Sequence, residues 1–272
     1  MHLLVALLIL PVSVSIVLSN IGAGEFGHRC PVRPNEDGSL FLTLEMNNGS
    51  TKVHKKAFAG CVGLQALTIS KQLLEIGEQA FYGCGQLKSI VFEEPSNIHT
   101  IEYEAFAFNL NLSTIVNSPS SLVKIGDSAF YGSEKLEHFP FESLPVLRNI
   151  GHNAFYRAGL KGPLNFQAGL AKIDGQAFYL TRNTTSVSFA ACQGAKGAEK
   201  TLQYIGKCAF CNSGIHSQTV FLPRGVRFFT GKPKEATFNN TVSLKACTMD
   251  MNDASTSPTA EPIEHQETHN EL

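Results

Sequence analysis

The sequence predicts an α/β solenoid, a coil built from one short unit that is repeated along the chain. The first observation is a motif that runs from Ile-Gly to Ala-Phe at residues 76–81 and returns in later copies. The second is its spacing, since the phenylalanines of successive copies lie 23, 25, 24, 25, 23 and 32 residues apart. These residues are Phe58, Phe81, Phe106, Phe130, Phe155, Phe178 and Phe210. Self-similarity at such a period is typical of a solenoid, in which each unit buries its apolar face only against its neighbours.

A second pattern, L-x-x-I-x-I, lies between the copies and predicts one short strand in each repeat. It is found at residues 64–69, 87–92, 112–116 and 136–141, and in an irregular, longer version at 160–166. Alternate residues of such a strand point inward. A proline or polar corner, a second apolar pair and the Ala-Phe turn complete one coil. We therefore expect one short parallel strand per repeat, joined by short helical or irregular turns.

Together the two patterns resemble the BspA-like, or treponemal-type, leucine-rich repeat, whose consensus reads L-x-x-I-x-I-P…V-x-x-I-G-x-x-A-F-x-x-C. The resemblance covers about residues 54 to 247, with about seven to eight repeats. It implies a leucine-rich-repeat right-handed coil. For function, it implies adhesion or recognition at a surface.

The segments before the repeats predict an entry signal and a cap. Residues 1–19 predict a signal peptide, because 3–10 form an apolar run of suitable length and 17–19 offer a small-residue cleavage site. A signal anchor is the alternative, although the apolar stretch is short for a membrane span of about 20 residues. Residues 20–53 do not follow the repeat, and we interpret them as an N-terminal cap over the first coil.

The solenoid is predicted over residues 54–247. An insertion of small residues at 190–198 accounts for the longest spacing between repeat phenylalanines. A last, degenerate copy of the repeat starts at Phe238. Residues 248–272 hold six Asp or Glu and no Lys or Arg, which predicts a disordered acidic tail. The chain ends in a tetrapeptide that resembles the KDEL/HDEL class of retrieval signals, with a chance match as the alternative. The tetrapeptide is His269, Asn270, Glu271 and Leu272.

The composition excludes several classes of function. The formal net charge is −1, so nothing basic is available to bind nucleic acid or an anionic membrane. The histidines are dispersed, and no Ser-His-acid or glycine-rich phosphate motif occurs. The sequence therefore predicts no metal site, cofactor site or catalytic residue, and any enzyme would need a constellation assembled across coils.

The cysteines leave one alternative in which the protein is an enzyme. Cys208 and Cys211 form a C-x-x-C, the spacing of dithiol oxidoreductases of the endoplasmic reticulum. The two residues between them are core positions of the repeat, which favours a structural role. Cys61 and Cys84 share one repeat position, either as buried packing residues or as a pair within disulfide range. Because the chain has seven cysteines, at least one stays free or pairs between molecules.

Four Asn-x-Ser/Thr sequons predict glycosylation at Asn48, Asn111, Asn183 and Asn239. Asn111 and Asn183 each follow a repeat phenylalanine by five residues. We therefore expect them at the same corner of the coil, three coils apart.

Strand geometry predicts the binding surface. Between the last two inward positions of each strand lies an outward residue, and these residues would form one continuous sheet face of the kind that solenoids use for partners. We call this set the strand face. It comprises Thr68, Val91, Val116, Pro140, Asn165, Ser188 and Phe221. The face is uncharged and moderately apolar, and the alternative is that small β-forming residues simply suit a sheet.

The sequence thus predicts a non-enzymatic protein of the secretory pathway that binds a protein or glycoprotein ligand through the strand face. No cofactor, no nucleic acid and no membrane span in the mature chain are expected. The retrieval signal predicts residence in the endoplasmic reticulum lumen. A secreted or cell-surface adhesion protein is the alternative if that signal is not read, and a dithiol oxidoreductase-like protein using Cys208 and Cys211 is the second alternative.

Overall fold

The structure is a computed structural model that describes residues 14–17, 30, 38, 40–45, 51–192, 202–216, 219–229, 237–238, 242–247 and 260–262. These residues form short strands and turns, with two 3-10 helices at Phe141–Ser143 and Ala190–Cys192. In the part of the chain that is described, no helix is long and apolar enough to cross a membrane. The predicted solenoid is confirmed, and its turns contain little helix.

The longer strands form three sheets, and those at 64–69, 89–92, 114–116 and 161–166 lie on the L-x-x-I-x-I pattern. The first contains β1 (Val14–Val17), β2 (Leu40–Glu45), β4 (Leu64–Ile69), β6 (Ser89–Phe92) and β8 (Thr114–Val116). The second pairs β11 (Lys161–Phe166) with β13 (Asn183–Phe189). The third contains β15 (Thr219–Leu222), β17 (Ser243–Cys247) and β18 (Ala260–Pro262). All pairs are parallel except β17 with β18.

A fourth sheet runs without a break through eight consecutive coils. Its strands have two residues each, in most coils a polar residue followed by the last residue of the second apolar pair of the repeat. They are β3 (Lys52–Val53), β5 (Glu75–Ile76), β7 (Thr100–Ile101), β9 (Lys124–Ile125), β10 (Asn149–Ile150), β12 (Lys172–Ile173), β14 (Tyr204–Ile205) and β16 (Arg227–Phe228). All pairs in it are parallel. The continuous backbone ladder of this solenoid therefore lies on the second apolar pair, not on the predicted strand.

The prediction of a strand at 136–141, and with it of one continuous sheet face, is wrong. Residues 136–140 form no strand, and the chain then enters the 3-10 helix Phe141–Ser143. Pro140 has no N–H to donate to a ladder, and proline is excluded from central strands for that reason. Phe139 and Phe141 still point into the core, where the Phe141 ring packs edge-on against Phe155 and Phe166. The fourth coil thus keeps its core contacts but not its ladder.

The Ile-Gly dipeptide of the motif is explained by close approach of adjacent coils. A Cβ atom at Gly126 would lie 2.6 Å from the carbonyl carbon of Glu102 in the preceding coil. The Gly126 N–H donates to the Ile101 carbonyl oxygen at 2.7 Å, so the two backbones touch at this point. Glycine is required here because the neighbouring backbone occupies the space of a side chain.

The Ala-Phe turns are stacked by their own hydrogen bonds. The N–H of Phe58 donates to the carbonyl of Ala80, and that of Phe81 to the carbonyl of Ala105, both at 2.8 Å. Each turn has two residues of positive φ, four positions apart, and in the first six turns the N–H groups of both also bond to the next coil. The first are Lys56, Gln79, Glu104, Ser128, Asn153, Gln176 and Cys208. The second are Gly60, Gly83, Phe108, Gly132, Arg157, Leu180 and Asn212.

The repeat phenylalanines form a continuous stack through the core. Neighbouring rings are 4.9 to 5.4 Å apart between centroids, and their planes differ by 2 to 13°. The stack includes Phe238, the start of the predicted last copy, whose ring lies 4.9 Å from that of Phe210. All eight rings are fully buried. Burial of one phenylalanine contributes about 1.5 to 3 kcal/mol, so this stack is a large part of the hydrophobic stabilisation.

Disulfides tie the flanking segments to the stack. Cys30 bonds to Cys61 in the first coil, with Cα atoms 4.6 Å apart, and Cys192 bonds to Cys247 in β17, with Cα atoms 5.5 Å apart. Cys192 is the third residue of the predicted insertion at 190–198, of which residues 193–198 lie outside the described residues. Of the predicted signal peptide and acidic tail, only β1 and β18 are described, so those two segments stay predictions.

Candidate binding surfaces

The residues of the strand face lie outward, as the alternation predicts. Val91 is half-buried between the buried Ile90 and Phe92, and Val116 is 40% exposed. The parallel register sets Thr68 beside Val91 and Val91 beside Val116. These three residues form an uncharged strip on the first sheet. Whether the strip binds a partner stays a prediction.

The strand face is divided into pieces rather than continuous. Asn165 and Ser188 are paired in the second sheet, and the Ser188 hydroxyl lies 2.7 Å from Asn165 Oδ1. Phe221 belongs to the third sheet, where it is paired with Lys245. Pro140 lies between the first and second sheets in a segment without ladder bonds. The piece formed by the two valines is thus the part best suited to bind.

An exposed row of aromatic rings lies along the Ala-Phe turns, and the sequence-based reasoning missed it. We call it the aromatic edge. Its members are Tyr82, Phe108, Tyr131, Tyr156 and Tyr179. Consecutive rings are 4.8 to 5.3 Å apart between centroids, and each is half-buried or exposed. The signal was present, because four of the repeats read Ala-Phe-Tyr and the residue after the buried phenylalanine faces away from the core.

The third residue after each repeat phenylalanine belongs to a buried, mostly polar column. Asn109, Thr181 and Ser213 occupy it, and each donates a side-chain hydrogen bond to the carbonyl of the repeat phenylalanine three residues before it, at 2.6 to 3.0 Å. Cys84 is at the same position, and its thiol donates to the Phe58 carbonyl at 3.2 Å. The column satisfies turn carbonyls that would otherwise be buried without a partner.

Cys208 and Cys211 form a disulfide within the seventh Ala-Phe turn. Cys208 has a positive φ of 54° and lies on a turn, not at a helix N-terminus. Cys211 is buried, and Asn212 beside it donates to the Tyr179 hydroxyl at 2.8 Å. A dithiol oxidoreductase needs an exposed first thiolate that a helix N-terminus stabilises. The position within the repeat thus favours the structural role.

Cys84 is the free cysteine among the described residues, and it is fully buried. Burial raises the pKa of its thiol to about 12. The thiolate, which is the reactive form, is therefore scarce at neutral pH. The alternative of a bond between Cys61 and Cys84 is wrong, because Cys61 is bonded to Cys30.

The predicted glycosylation sites differ in exposure and in hydrogen bonding. Asn183 is exposed at the first residue of β13. Asn111 is half-buried, and its side-chain amide donates to the Gly85 carbonyl at 2.7 Å while its oxygen accepts from Lys135. A glycan on that amide would have to displace the bond to Gly85. Asn48, Asn239 and the retrieval tetrapeptide at 269–272 lie outside the described residues.

Metal ligands are not assembled within the part of the chain that the structure describes. No group of three or more His, Cys, Asp or Glu side chains there could hold a metal ion. The seven ion pairs found among the same residues are at least partly exposed, and most join neighbouring coils. Exposed pairs of this kind contribute about 0 to 1 kcal/mol each.

The stacked coils, the buried phenylalanine column and the repeated turn define the class of protein, a leucine-rich-repeat solenoid. More narrowly, residues 39–160 match a family model described as a BspA type leucine rich repeat region, in six copies. The interpretation of the repeat from the sequence is thus confirmed. No curated protein matches the sequence significantly.

Solved structures of bacterial repeat proteins are similar to parts of the chain. A leucine rich repeat protein of T. pallidum is 28% identical, with 55% of this chain and 69% of that chain covered and a TM-score of 0.48. One from Bacteroides ovatus is 21% identical, covering 72% and 55%, with a TM-score of 0.44. The pneumococcal vaccine antigen PcpA is 22% identical, covering 71% and 57%, with a TM-score of 0.49. The chain therefore spans little more than half of the last two.

Proposed function

We propose that this protein is a non-enzymatic binding protein that works in an oxidising compartment, at a cell surface or outside the cell. The BspA type repeat supports a binding role, because solenoids bind partners through repeated surface residues. The three disulfides support the compartment, because disulfides persist in extracellular and secretory environments and are rare in the cytosol.

The proposed ligand is a protein or glycoprotein, and the proposed contact is the strand face around Val91 and Val116. The observation that supports this choice is the register of the first sheet, which brings two outward valines side by side with no charge between them. Interface cores are depleted of charged residues, and an exposed apolar strip of this kind suits such a core. The strip ends at β8, where the ladder of the first sheet stops.

The experiment is binding of the labelled, purified protein to intact cells and to extracellular-matrix proteins. Val91→Glu with Val116→Glu should reduce binding by at least about tenfold, since two charges would lie in the centre of the contact. Unfolding stability should change by less than about 1 kcal/mol, because both side chains face outward.

The matched control is Lys88→Glu. Lys88 is exposed in the same coil as Val91, and this single substitution changes the net charge by the same two units as the Val91 and Val116 variant. It should bind within about twofold of the wild type. Equal binding by all three proteins would refute the strand face as the contact.

The retrieval signal is a separate proposal that concerns location. Its support is the sequence alone, in the form of an entry signal and the tetrapeptide His269 to Leu272. Expression of the full chain with and without its last four residues decides between the two locations. Release of only the shortened form into the medium supports retention, whereas equal secretion of both forms supports a secreted or surface protein.

A further inference from the structure

We propose that the Phe108 end of the aromatic edge binds an arginine or lysine side chain of a protein partner. This inference rests on the proposed function, since it assumes a binding protein, but it uses a surface separate from the strand face. The expected partner is a protein segment that presents a cation to a cluster of exposed rings and carboxylates.

The rings of the aromatic edge stop being parallel at Phe108. From Tyr131 to Tyr156 and on to Tyr179 the rings are stacked, with planes 6° and 18° apart, so their faces are covered by one another. The Phe108 ring instead meets Tyr82 at 66° and Tyr131 at 48°. Its faces are therefore not covered by parallel neighbours, and the residue is 40% exposed.

Gly132 leaves room beside this ring. A Cβ atom at Gly132 would lie 3.8 Å from Phe108 Cδ1, in van der Waals contact with the ring. A cation within about 6 Å of the centroid of an exposed ring is attracted to its negative face. The geometry at Phe108 can accept a cation, whereas the stacked tyrosines present edges and hydroxyl groups.

The turn that holds Phe108 also carries negative charge, since Glu104 lies four residues before Phe108. Glu104 accepts a hydrogen bond of 2.8 Å from the hydroxyl of Tyr103, which is 44% exposed. That bond is the main reason that the pKa of the Tyr103 phenol is raised, and the charges of Glu104 and Asp127 act in the same direction. Within the described residues neither carboxylate is in an ion pair, unlike Glu78, Glu102 and Glu134 in the same coils. The Glu104 carboxylate also accepts from the Gln79 side-chain amide, and Asp127 Oδ1 accepts from the His152 N–H at 2.9 Å, so both carboxylates are hydrogen-bonded by neutral groups. A basic side chain would therefore find a ring face near carboxylates that no cation neutralises.

A neutral glycan fits this surface less well. Sugar rings stack on broad aromatic faces, and the three parallel tyrosines hide theirs against one another. The charges of Glu104 and Asp127 have no complement in a neutral ligand, whereas they favour a cation. We therefore expect the partner to be a protein with an exposed arginine or lysine.

The repeat itself supplies variants that should fold. Phe108 has a φ of 58°, and Gly60, Gly83 and Gly132 hold the same turn position, so Phe108→Gly removes the ring without backbone strain. Glu104 shares its turn position and positive φ with Gln79 and Gln176, so Glu104→Gln removes the charge, keeps the size of the side chain and leaves one oxygen to accept from Tyr103 or Gln79. The matched control is Leu180→Gly, which makes the same backbone change three coils away.

The probe is an acetylated, amidated nonapeptide of three Arg-Pro-Thr units, added to the full chain with 13C-labelled tyrosine. Of the six tyrosines, Tyr82, Tyr103, Tyr131, Tyr156 and Tyr179 lie on the turns, and Tyr204 lies in the fourth sheet as an internal reference. We expect saturable shifts at Tyr82, Tyr103 and Tyr131, with a dissociation constant in the millimolar range and weaker binding at high salt.

Phe108→Gly and Glu104→Gln should each weaken binding by about 3- to 30-fold, and Leu180→Gly should not. The same peptide with Glu in place of Arg should cause no shifts. The inference is overturned by absent shifts, by an equal response to the Glu peptide, by unchanged affinity in both variants, or by shifts with a neutral hexasaccharide alone. Loss of cell binding in the strand-face variants with no response to the peptide would leave the proposed function standing and remove only this site.

Discussion

Phe178 and Phe210 stack with centroids 5.2 Å apart and planes 3° apart, although 32 residues separate them in the chain. Phe58 and Phe81, separated by 23 residues, have the same centroid distance. The additional residues between Phe178 and Phe210 therefore do not change the spacing of the rings. What the repeat preserves is the position of one ring against the next, and the length of chain between them varies.

The first prediction concerns this stack. Phe130→Ala should lower the free energy of unfolding by about 3 to 5 kcal/mol, because it leaves a cavity between Phe106 and Phe155 and removes the edge contact with Phe139. The measurement is equilibrium unfolding in urea. Phe229→Ala is the control, since that side chain is 59% exposed and should cost less than about 0.5 kcal/mol. Equal losses from the two variants would contradict the central role of the stack.

The solenoid and its core could be predicted from the sequence, because fully buried phenylalanine, leucine and isoleucine recur at a fixed period. The longest sheet could not. Its strands have two residues each, such as Lys124–Ile125, and two residues show no periodicity. They are strands because each coil lies directly on the one before it, a relationship that only the stacked structure contains.

The turn geometry was also beyond sequence reasoning. Positive φ is expected at glycine, yet the first left-handed position of each turn holds residues such as Gln79, Ser128 and Gln176. Their N–H groups bond to the next coil, and this bond holds the backbone in an unfavourable region. The interruption at Pro140 was visible in the sequence but was outweighed by the flanking pattern. The aromatic edge could not be predicted from strand alternation, because its residues lie on the turns.

The second prediction concerns glycine at the other left-handed position. Gly132 has a φ of +72°, so Gly132→Val should cost about 1 to 2 kcal/mol, because a β-branched residue is strained there. Gly85→Val in the same kind of turn is the matched control. That glycine has no left-handed φ and nothing within 4 Å of an added Cβ, so the change should cost little. Thermal or urea unfolding compares the two, and equal losses would mean that φ does not decide the residue type.

The third prediction concerns the Cys84 thiol. Its pKa is raised to about 12 by burial, so native protein should not react with iodoacetamide at pH 8, whereas protein unfolded without reductant should take up one label per chain. The folded thiol loses its proton at higher pH than the unfolded one. Its contribution to stability is therefore complete below about pH 9 and is lost as the pH rises towards 12.

Cys84→Ser is the comparison for the pH dependence, because it keeps a small hydrogen-bond donor at the position that Ser133 and Ser213 occupy. Urea unfolding of this variant should show a smaller loss of stability between pH 8 and pH 10 than the wild type. Labelling of native Cys84 at pH 8, or the same pH slope for both proteins, would show that the thiol is not buried.

The last prediction concerns two disulfides that close loops of very different length and should therefore differ in their contribution to stability. Cys192 and Cys247 are 55 residues apart, so loss of their bond should cost about 4 kcal/mol of unfolding free energy through the freedom returned to the unfolded chain. Cys208 and Cys211 are three residues apart, and the same reasoning gives about 2 kcal/mol. Serine replacement of the first pair, followed by urea unfolding, measures the larger effect.

For the second pair the repeat offers a better replacement than serine alone. Cys208→Ser with Cys211→Tyr gives the seventh turn the residues that the fourth turn has at these positions, Ser128 and Tyr131. The new tyrosine would extend the aromatic edge beyond Tyr179, so part of the lost stabilisation should return and the cost should fall below about 2 kcal/mol. A larger loss from this pair than from Cys192 and Cys247 would contradict the reasoning from loop length. It would show instead that the seventh turn cannot form without its disulfide.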